Sequence, residues 1–453
     1  MSVDPKRILS LVGLLSAAAL GLTACGGTTP EATTDPAGGG GETSAAETTP
    51  AESGEVVELE YIHRLPDGEG MTLVADIAAR WNAENPNIQV STTKFDGQAQ
   101  DLIVKLETDV KANNAACLAQ VGYAEVPELF VKGMLEDVTD LAAQYEGNFG
   151  GAFGQMNVGG VTVGLPQDSG PLVYLYNEAA FAELGIEVPT NLDEFTAAAT
   201  TAAAAGKYIA AFTPDEAQYW LSAQAASAGG VWFSAENDQW VVNVDSAESA
   251  VVADFWQNLL DAESVVTYDR WGEAFNKSIV DGELVGHIAA AWEVGFILDP
   301  LDGTDAEGQW RVAQLPDFGA GAVTGPDGGS GVAVMKGCEH PAEAMEFNNW
   351  FNTQVDDLAS QGLVPTAVEA AANPEKWTRQ FGGQDVMAEL VEANSRLNAD
   401  FSYIPGFSTL GPAMSGKAAE VVAGSAEVAD IFTAAQETAV KTLTDAGLPV
   451  AEG

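Results

Sequence analysis

The sequence predicts an α/β fold with two domains, and three features of the 453-residue chain indicate it. The length exceeds what one hydrophobic core ordinarily supports, since chains beyond about 250–300 residues divide into domains. From Val56 onward, short β-rich runs alternate with segments of helical period, a pattern typical of βαβ units and largely parallel sheets. Hydrophobic residues make up 46% of the chain, which favours a folded globular protein over a disordered one.

The first part of the chain after Val56 is predicted to alternate strands with helices. Apolar residues fall on one helix face at Val74, Ile77, Ala78 and Trp81, and again at Ile103, Leu106 and Val110. The runs between these helices alternate in polarity or are wholly apolar, as strands do. Strands are therefore predicted at 57–62, 88–92 and 118–122.

The second part repeats the pattern. A capping box of Thr190 with Asp193 is expected to open an alanine-rich helix that ends near Ala205. Strands are predicted at 171–176, 208–212, 286–291 and 331–335. Helices are predicted at 252–259 and 341–351, and over most of 384–446.

The first 25 residues predict an export signal. Lys6 and Arg7 precede an apolar run from Ile8 to Leu22, which is shorter than the ~20 residues needed to span a bilayer. The next residues, Leu-Thr-Ala-Cys ending at Cys25, resemble a bacterial lipobox, in which the cysteine is lipidated and becomes the new N-terminus. A plain secretory signal with an incidental cysteine is the alternative.

Residues 26–55 are rich in Gly, Thr, Ala, Pro and Glu and contain no aromatic residue. This composition is typical of a flexible linker, with an expected reach of about 30 Å. The N-terminal region thus predicts a protein at the extracytoplasmic face of the cell membrane that contacts the membrane only through its lipid anchor.

The chain is strongly acidic, with 18 Lys and Arg against 66 Asp and Glu and a formal net charge of -48. A field of this sign repels nucleic acid and anionic lipid surfaces, so neither is expected as a partner. An acidic, soluble surface explains the composition more simply than a cation-binding role does.

The sequence contains no catalytic signature. It lacks the GxxxxGK[ST], GxSxG, HExxH and CxxC motifs. The Gly-rich stretch 319–331 ends in a predicted strand and has no phosphate-binding lysine, and the three histidines are far apart. Acidic residues are too frequent for a glycosidase pair to be singled out. We therefore predict a binding protein without cofactor, metal or catalytic residue, with a lipid-anchored glycoside hydrolase as the alternative.

Several short segments carry a family resemblance. They are 121–123 with 133–138, 163–168, 175–178 with Phe181, Gly185-Ile186 and Pro189-Thr190, 281–283 with 288–292, and 310–316 with 328–329 and 340–341. In this order they resemble the extracellular sugar-binding proteins typified by maltose-binding protein. The resemblance covers residues 56–440.

This resemblance implies a periplasmic-binding-protein-like fold, in which two α/β lobes are hinged around a ligand cleft. The first lobe is expected to comprise 56–168 and 293–342, and the second 169–292 and 343–453. It further implies a monomer that captures a carbohydrate, expected to be an oligosaccharide, by cleft closure and delivers it to the permease subunits of an ABC transporter. A non-sugar solute such as a peptide or polyamine is the alternative within this fold, and a surface adhesin is a third possibility.

Two cysteines, Cys117 and Cys338, remain once Cys25 is lipidated. Cysteines in exported proteins are often paired, although two buried free thiols would also fit. Because the resemblance assigns both to the first lobe, we expect a disulfide between them.

Sugar rings present an apolar C–H face to aromatic side chains and a polar rim to hydrogen-bonding groups. The resemblance identifies Trp292, directly after a predicted strand, as the stacking residue. Glu293 beside it is expected to accept hydrogen bonds from sugar hydroxyls, with a solvated surface carboxylate as the simpler alternative. The other expected ligand contacts are His63, Arg64, Gln98, Tyr123, Asp168, Tyr219, Trp220, Trp232, Trp271 and Tyr403. For the aromatic residues among them, packing in the core is the alternative. Where maltose-binding protein has a further aromatic, this chain has Gly411 and Pro412, which argues against maltose itself as the ligand.

Overall fold

The computed structural model describes residues 56–97, 99–236, 239–270 and 272–452. All of them belong to one compact unit, Ser53–Gly453. The predicted signal and linker, Gln98 and Trp271 lie outside the described residues. The lipidation of Cys25 therefore stays a prediction.

The strands of the described residues are numbered in chain order. They are β1 (Val57–His63), β2 (Ile88–Lys94), β3 (Leu118–Gly122), β4 (Asn157–Val158), β5 (Val161–Thr162), β6 (Gly164–Asn177), β7 (Ala211–Phe212), β8 (Phe233–Glu236), β9 (Gln239–Val242), β10 (Val266–Thr267), β11 (Gly286–Ala290), β12 (Trp310–Gln314), β13 (Pro326–Val334) and β14 (Val450–Glu452).

The α-helices are numbered in the same way. They are α1 (Val74–Glu84), α2 (Ala99–Lys111), α3 (Val126–Val131), α4 (Thr139–Ala142), α5 (Glu178–Leu184), α6 (Leu192–Ala204), α7 (Ala217–Ser227), α8 (Ala247–Asp261), α9 (Glu273–Val280), α10 (Pro341–Asn352), α11 (Val355–Ser360), α12 (Glu375–Gln380), α13 (Val386–Ser395), α14 (Leu410–Val422) and α15 (Val428–Asp445). Short 3₁₀ helices include Pro214–Glu216, Ala291–Gly295 and Phe407–Thr409. Each strand and helix predicted from periodicity has a counterpart here, although the strand expected at 208–212 is reduced to β7.

The cap of α6 differs from the predicted capping box. The N-cap is Asn191, whose side-chain oxygen accepts the backbone N–H of Glu194 at 3.0 Å. The carboxylate of Glu194 in turn accepts both the backbone N–H and the hydroxyl of Thr190. The predicted pair of Thr190 with Asp193 is therefore wrong by one residue, because Asn is as good an N-cap as Thr and stands one position later.

The main sheet has seven strands and mixed direction. Its order is β2-β1-β3-β13-β6-β11, and β12 also pairs with β6. Only β1, β2 and β3 pair in parallel, whereas β13, β11 and β12 run antiparallel to their neighbours. Parallel pairing is thus limited to the first three strands of this sheet and to the small pairs β7–β10 and β9–β14, so the prediction of largely parallel sheets is confirmed only in part.

The long strand β6 joins the two halves of this sheet. Its first part, Gly164 to Pro171, pairs with β13. Its second part, Leu172 to Asn177, pairs with β11 on one side and β12 on the other. A strand of this length extends about 45 Å, so one continuous backbone passes from the predicted first lobe into the second.

Side-chain packing distributes the chain between the lobes differently from the predicted boundaries. Helix α10 packs in the first lobe, where Phe347 contacts Tyr61 and Trp81 edge-to-face. Trp310 of β12 instead lies in a hydrophobic cluster with Val173 of the second lobe. Helices α14 and α15 pack on α7 and α8, as expected for 343–453, and the lobe boundaries stay a prediction. Two segments pack differently from the expected assignment of 293–342 and 343–453, since β12 lies beside the second part of β6 and α10 beside β1. The physical reason is that the chain returns to the first lobe along β13.

Cys117, which precedes β3, and Cys338, which follows β13, form a disulfide, with their Cα atoms 4.7 Å apart and a sequence separation of 221. The sheet register explains their approach, because Leu118 of β3 pairs with Val334 of β13. Closing so long a loop typically stabilises a fold by about 2–5 kcal/mol.

Among the helices of the described residues, none is both long and apolar enough to cross a membrane.

Candidate ligand-binding cleft

The entry of β13 is a glycine pair that two aromatic residues approach. Gly328 and Gly329 have positive φ angles of 84° and 92°. A Cβ on Gly328 would lie 3.3 Å from Nε1 of Trp292, and one on Gly329 would lie 2.8 Å from the ring of Tyr123. Both positions therefore require glycine. The Gly-rich stretch, which has no phosphate-loop pattern, thus allows Trp292 and Tyr123 to approach the same backbone segment.

Trp292 lies in the 3₁₀ helix that follows β11 and is only partly buried. Its indole N–H donates to the backbone carbonyl of Asp327 at 3.0 Å. The guanidinium carbon of Arg270 lies 5.2 Å from the centroid of the indole ring, within cation–π range. The indole is thus held at its edge and on its plane while it keeps some accessible surface.

Arg270 is the centre of a buried charge cluster on the second-lobe side. Its side chain is 2% exposed, and its terminal nitrogens lie 2.9 Å from Glu216, 3.2 Å from Glu293 and 3.3 Å from Asp327. Three carboxylates thus face one guanidinium. Because a buried excess of negative charge is costly, the cluster favours the protonation of one carboxyl group.

Glu293 is the carboxyl group most affected. Burial raises its pKa to about 8, although the charge of Arg270 lowers it. Its Oε2 accepts the backbone N–H of Ala290 at 2.6 Å, whereas its Oε1 is buried without a hydrogen-bond partner. Burial likewise raises the pKa of Asp327 to about 6, against the lowering effect of Arg270.

A second network lines the first-lobe side. The backbone N–H of Arg64 donates to Gln120 at 2.7 Å, and the amide of Gln120 donates to Ser330 at 3.1 Å. The Ser330 hydroxyl donates in turn to the carboxylate of Asp168. Burial raises the pKa of Asp168 to about 6, although this hydrogen bond lowers it. The guanidinium of Arg64 also pairs with Glu125 at 3.5 Å, so this wall carries both hydrogen-bond donors and acceptors.

Three tyrosines lie between these two networks. The hydroxyl of Tyr123 donates to the backbone carbonyl of Asp168 at 2.8 Å, whereas Tyr219 and Tyr403 both pack edge-to-face on Phe407. Burial raises the pKa of all three phenols above the ordinary value of 10.0. They are therefore neutral at physiological pH and can both donate and accept hydrogen bonds.

The two lobes also come within electrostatic reach of each other here. After burial, the charge of Glu125 raises the pKa of Tyr219 and that of Arg64 lowers it. The hydroxyl of Ser408 donates to the carboxylate of Glu128 at 3.2 Å. Residues assigned to different lobes by sequence thus meet along one surface.

The structure brings together seven of the predicted contact residues around this surface: Arg64, Tyr123, Asp168, Tyr219, Trp292, Glu293 and Tyr403. It places others in the core. Trp220 and Trp232 are both 0% exposed, and their indole N–H groups donate to Ile288 and Ser249. His63 is buried at the end of β1, and its pKa is lowered to about 4 by burial. Gln98 and Trp271 lie outside the described residues.

Sequence reasoning missed Arg270 and Asp327. Arg270 is one of only 18 basic residues in the chain and stands beside a tryptophan, and Asp327 directly precedes the glycine pair. Both signals were present, but neither lies in a periodic segment, and the four charged residues of the cluster come from widely separated parts of the chain.

The arrangement is suited to binding a ligand with both apolar and polar faces. Aromatic rings lie beside buried carboxylates, amides and hydroxyls, which is the combination that sugar rings require. No group of three or more potential metal ligands occurs among the described residues.

Comparison with known proteins gives consistent matches. The model of the bacterial extracellular solute-binding protein family matches residues 67–355. Among solved structures, the galacto-N-biose-/lacto-N-biose I-binding protein of an ABC transporter from Bifidobacterium longum is 53% identical, with a TM-score of 0.84, over 88% of this chain and 100% of that one. No curated protein matches the chain significantly in sequence.

More distant structures share the fold. The ABC transporter associated binding protein from B. animalis subsp. lactis Bl-04, in complex with beta-1,6-galactobiose, is 22% identical with a TM-score of 0.73, over 88% of this chain and 100% of that one. The cyclic alpha-maltosyl-1,6-maltose binding protein from Arthrobacter globiformis is 19% identical with a TM-score of 0.68, over 86% of this chain and 100% of that one. Both are described as binding proteins.

Proposed function

The chain belongs to the bacterial extracellular solute-binding protein family, and from this premise we propose that it captures a short oligosaccharide of the galacto-N-biose or lacto-N-biose type for an ABC importer. The predicted family and the periplasmic-binding-protein-like fold are both confirmed. The identity of the sugar, its delivery to permease subunits, and the lipid anchor belong to the proposal.

One observation carries the choice of sugar. The Bifidobacterium longum protein, named for galacto-N-biose and lacto-N-biose I, is 53% identical over its whole length. The candidate cleft supports the proposal, because it combines the partly buried Trp292 with the buried carboxyl groups of Glu293 and Asp327. Buried hydrogen-bonding groups of this kind also favour selectivity, since a ligand that fails to pair them is strongly rejected.

Titration calorimetry on the mature protein tests the proposal. We expect saturable one-to-one binding of galacto-N-biose or lacto-N-biose, and binding of maltose that is weaker by about tenfold or more. Spermidine and a neutral tripeptide serve as probes of the non-sugar alternative. Binding of either of these without binding of a sugar would contradict the proposal, as would cleavage of the bound sugar detected by mass spectrometry.

Anchoring is expected to depend on Cys25. In the proposal the lipid is attached to the sulfur of Cys25, and no other residue anchors the protein. Cys25→Ala should therefore move the protein from the membrane fraction to the soluble fraction or the medium. Thr28→Ala, three residues later in the linker, is the matched control and should stay membrane-bound. Fractionation and immunoblotting measure the outcome, and a Cys25→Ala protein that remains with the membrane would place the anchor elsewhere.

A further inference from the structure

Arg270 is a buried residue that the proposed function does not use as a sugar contact. It lies in the segment between β10 and α9. Its backbone N–H donates to the carboxylate of Asp215 at 3.0 Å. Its side chain reaches three further carboxylates, those of Glu216, Glu293 and Asp327. So many partners fix both the position and the orientation of the guanidinium plane.

The fixed guanidinium lies against the residue that we propose to contact the sugar. Its carbon is 5.2 Å from the centroid of the Trp292 ring. The same Asp327 that pairs with Arg270 through its carboxylate accepts the Trp292 indole N–H through its backbone carbonyl. Arg270, Asp327 and Trp292 therefore form a closed triangle, in which no member can move without disturbing the other two.

The triangle also reaches the strand that returns to the first lobe. Asp327 is the second residue of β13 and directly precedes the glycine pair. The neighbouring strand β6 approaches so closely that a Cβ on Gly170 would lie 2.2 Å from the Asp327 carbonyl oxygen. Arg270 thus connects a second-lobe loop to the backbone segment where the chain passes between lobes.

We propose that Arg270 is a positioning residue of the ligand cleft, which holds the Trp292 indole and the entry of β13 in the arrangement that receives the sugar. The measurements of sugar affinity that test this inference rest on the proposed function. Lysine at this position would keep the charge but lose the planar, multiply bonded group that can stack on an indole while pairing with several carboxylates. Arg270→Lys is therefore the sharpest substitution.

Calorimetry with the sugar that the wild type binds most tightly gives the first test. Arg270→Lys should weaken affinity by about 2- to 30-fold, the range spanned by exposed and desolvated cation–π contacts. Arg311→Lys is the matched control, because Arg311 is a second-lobe arginine of β12 that pairs with Glu178 at 2.7 Å and donates to the backbone carbonyls of Gly308, Trp310 and Phe381. Its affinity should stay within about twofold of wild type.

A double-mutant cycle separates positioning from general structural damage. If Arg270 acts through Trp292, Arg270→Lys should cost much less affinity in a Trp292→Ala background than in the wild type, since coupled residues are non-additive. Equal losses in the two backgrounds, or unchanged affinity of the folded Arg270→Lys protein, would overturn the inference.

A ligand-free readout keeps this inference distinct from the sugar assignment. In protein labelled with 5-fluorotryptophan, Trp292→Phe identifies the fluorine resonance of Trp292 by its loss. That resonance should shift in Arg270→Lys and not in Arg311→Lys. If Arg270→Lys does not fold, Asp327→Asn tests the same triangle, because it keeps the backbone carbonyl and removes the carboxylate. An unmoved resonance would overturn the inference, whereas a wild type that binds no sugar would overturn only the proposed function.

Discussion

Replacing Trp292 with alanine is expected to weaken sugar binding by about 30- to 1,000-fold, or ~2–4 kcal/mol. Losses of this size are typical when a large aromatic anchor is truncated at the centre of a desolvated site. Trp292 fits that description because it is partly buried and stands between Arg270 and the glycine pair of β13. Trp220 and Trp232, by contrast, are wholly buried in the core.

The competing account is that Trp292 is only a packing residue. In that case Trp292→Ala would lower the melting temperature, and the affinity of the folded fraction would barely change. Trp350→Ala is the matched control, because Trp350 is also partly buried but packs on Trp81 of the first lobe, with ring centroids 5.4 Å apart. It should lower the melting temperature and leave affinity within about threefold of wild type. Calorimetry and a melting curve on both variants separate the two accounts.

Glu293→Gln is expected to make the protein more stable than the wild type at alkaline pH while leaving its stability at pH 5 nearly unchanged. The cause is the buried carboxyl group, whose pKa is raised from its ordinary value of 4.5 to about 8, by burial above all. The charges of Asp327 and Glu216 raise it further, whereas Arg270 and the hydrogen bond from Ala290 lower it. Glutamine imitates the protonated form, since it is neutral and can accept the same backbone N–H.

The sign follows from which state of the protein holds the proton. Between about pH 4.5 and 8, Glu293 is ionised in the unfolded chain but protonated in the folded protein. The folded state therefore binds more protons, and the free energy of unfolding decreases as pH rises through this window. The decrease amounts to a few kcal/mol, at about 1.4 kcal/mol for each unit of pKa difference. Asp327, whose pKa is raised from 3.8 to about 6, contributes a loss of the same sign at lower pH.

Melting curves from pH 5 to 9 measure this effect. The difference in melting temperature between Glu293→Gln and the wild type should grow with pH to several degrees. Glu178→Gln, at an exposed carboxylate that pairs with Arg311, should give a curve parallel to that of the wild type. A Glu293→Gln curve that also ran parallel would show that Glu293 is ionised in the folded protein at neutral pH.

The types of most helices and strands, and the family, could be predicted from the amino-acid sequence. Helices such as α1 and strands such as β3 were predictable because their apolar residues repeat with the period of the backbone that carries them. The family was predictable for a related reason, since its motifs are short runs of neighbouring residues that keep their order along the chain. Two further features, the Asn191 cap and the role of Gly328-Gly329, follow from capping preferences and from the conformational freedom of glycine. Hydrophobic periodicity does not reveal them.

Which surfaces pack against each other became known only from the folded chain. Periodicity marks a buried face without naming its partner, so it did not reveal that α10 packs in the first lobe or that β13 runs antiparallel to β6. The sequence also offered Trp220 and Trp232 as ligand contacts beside Trp292, although the first two pack in the core and only the third is partly exposed. The charge cluster of Arg270 was the least accessible feature, because its partners come from separate segments between Glu216 and Asp327. Such a cluster exists only after the chain has folded. Once water is excluded, the charge state of each buried group depends on the charges beside it.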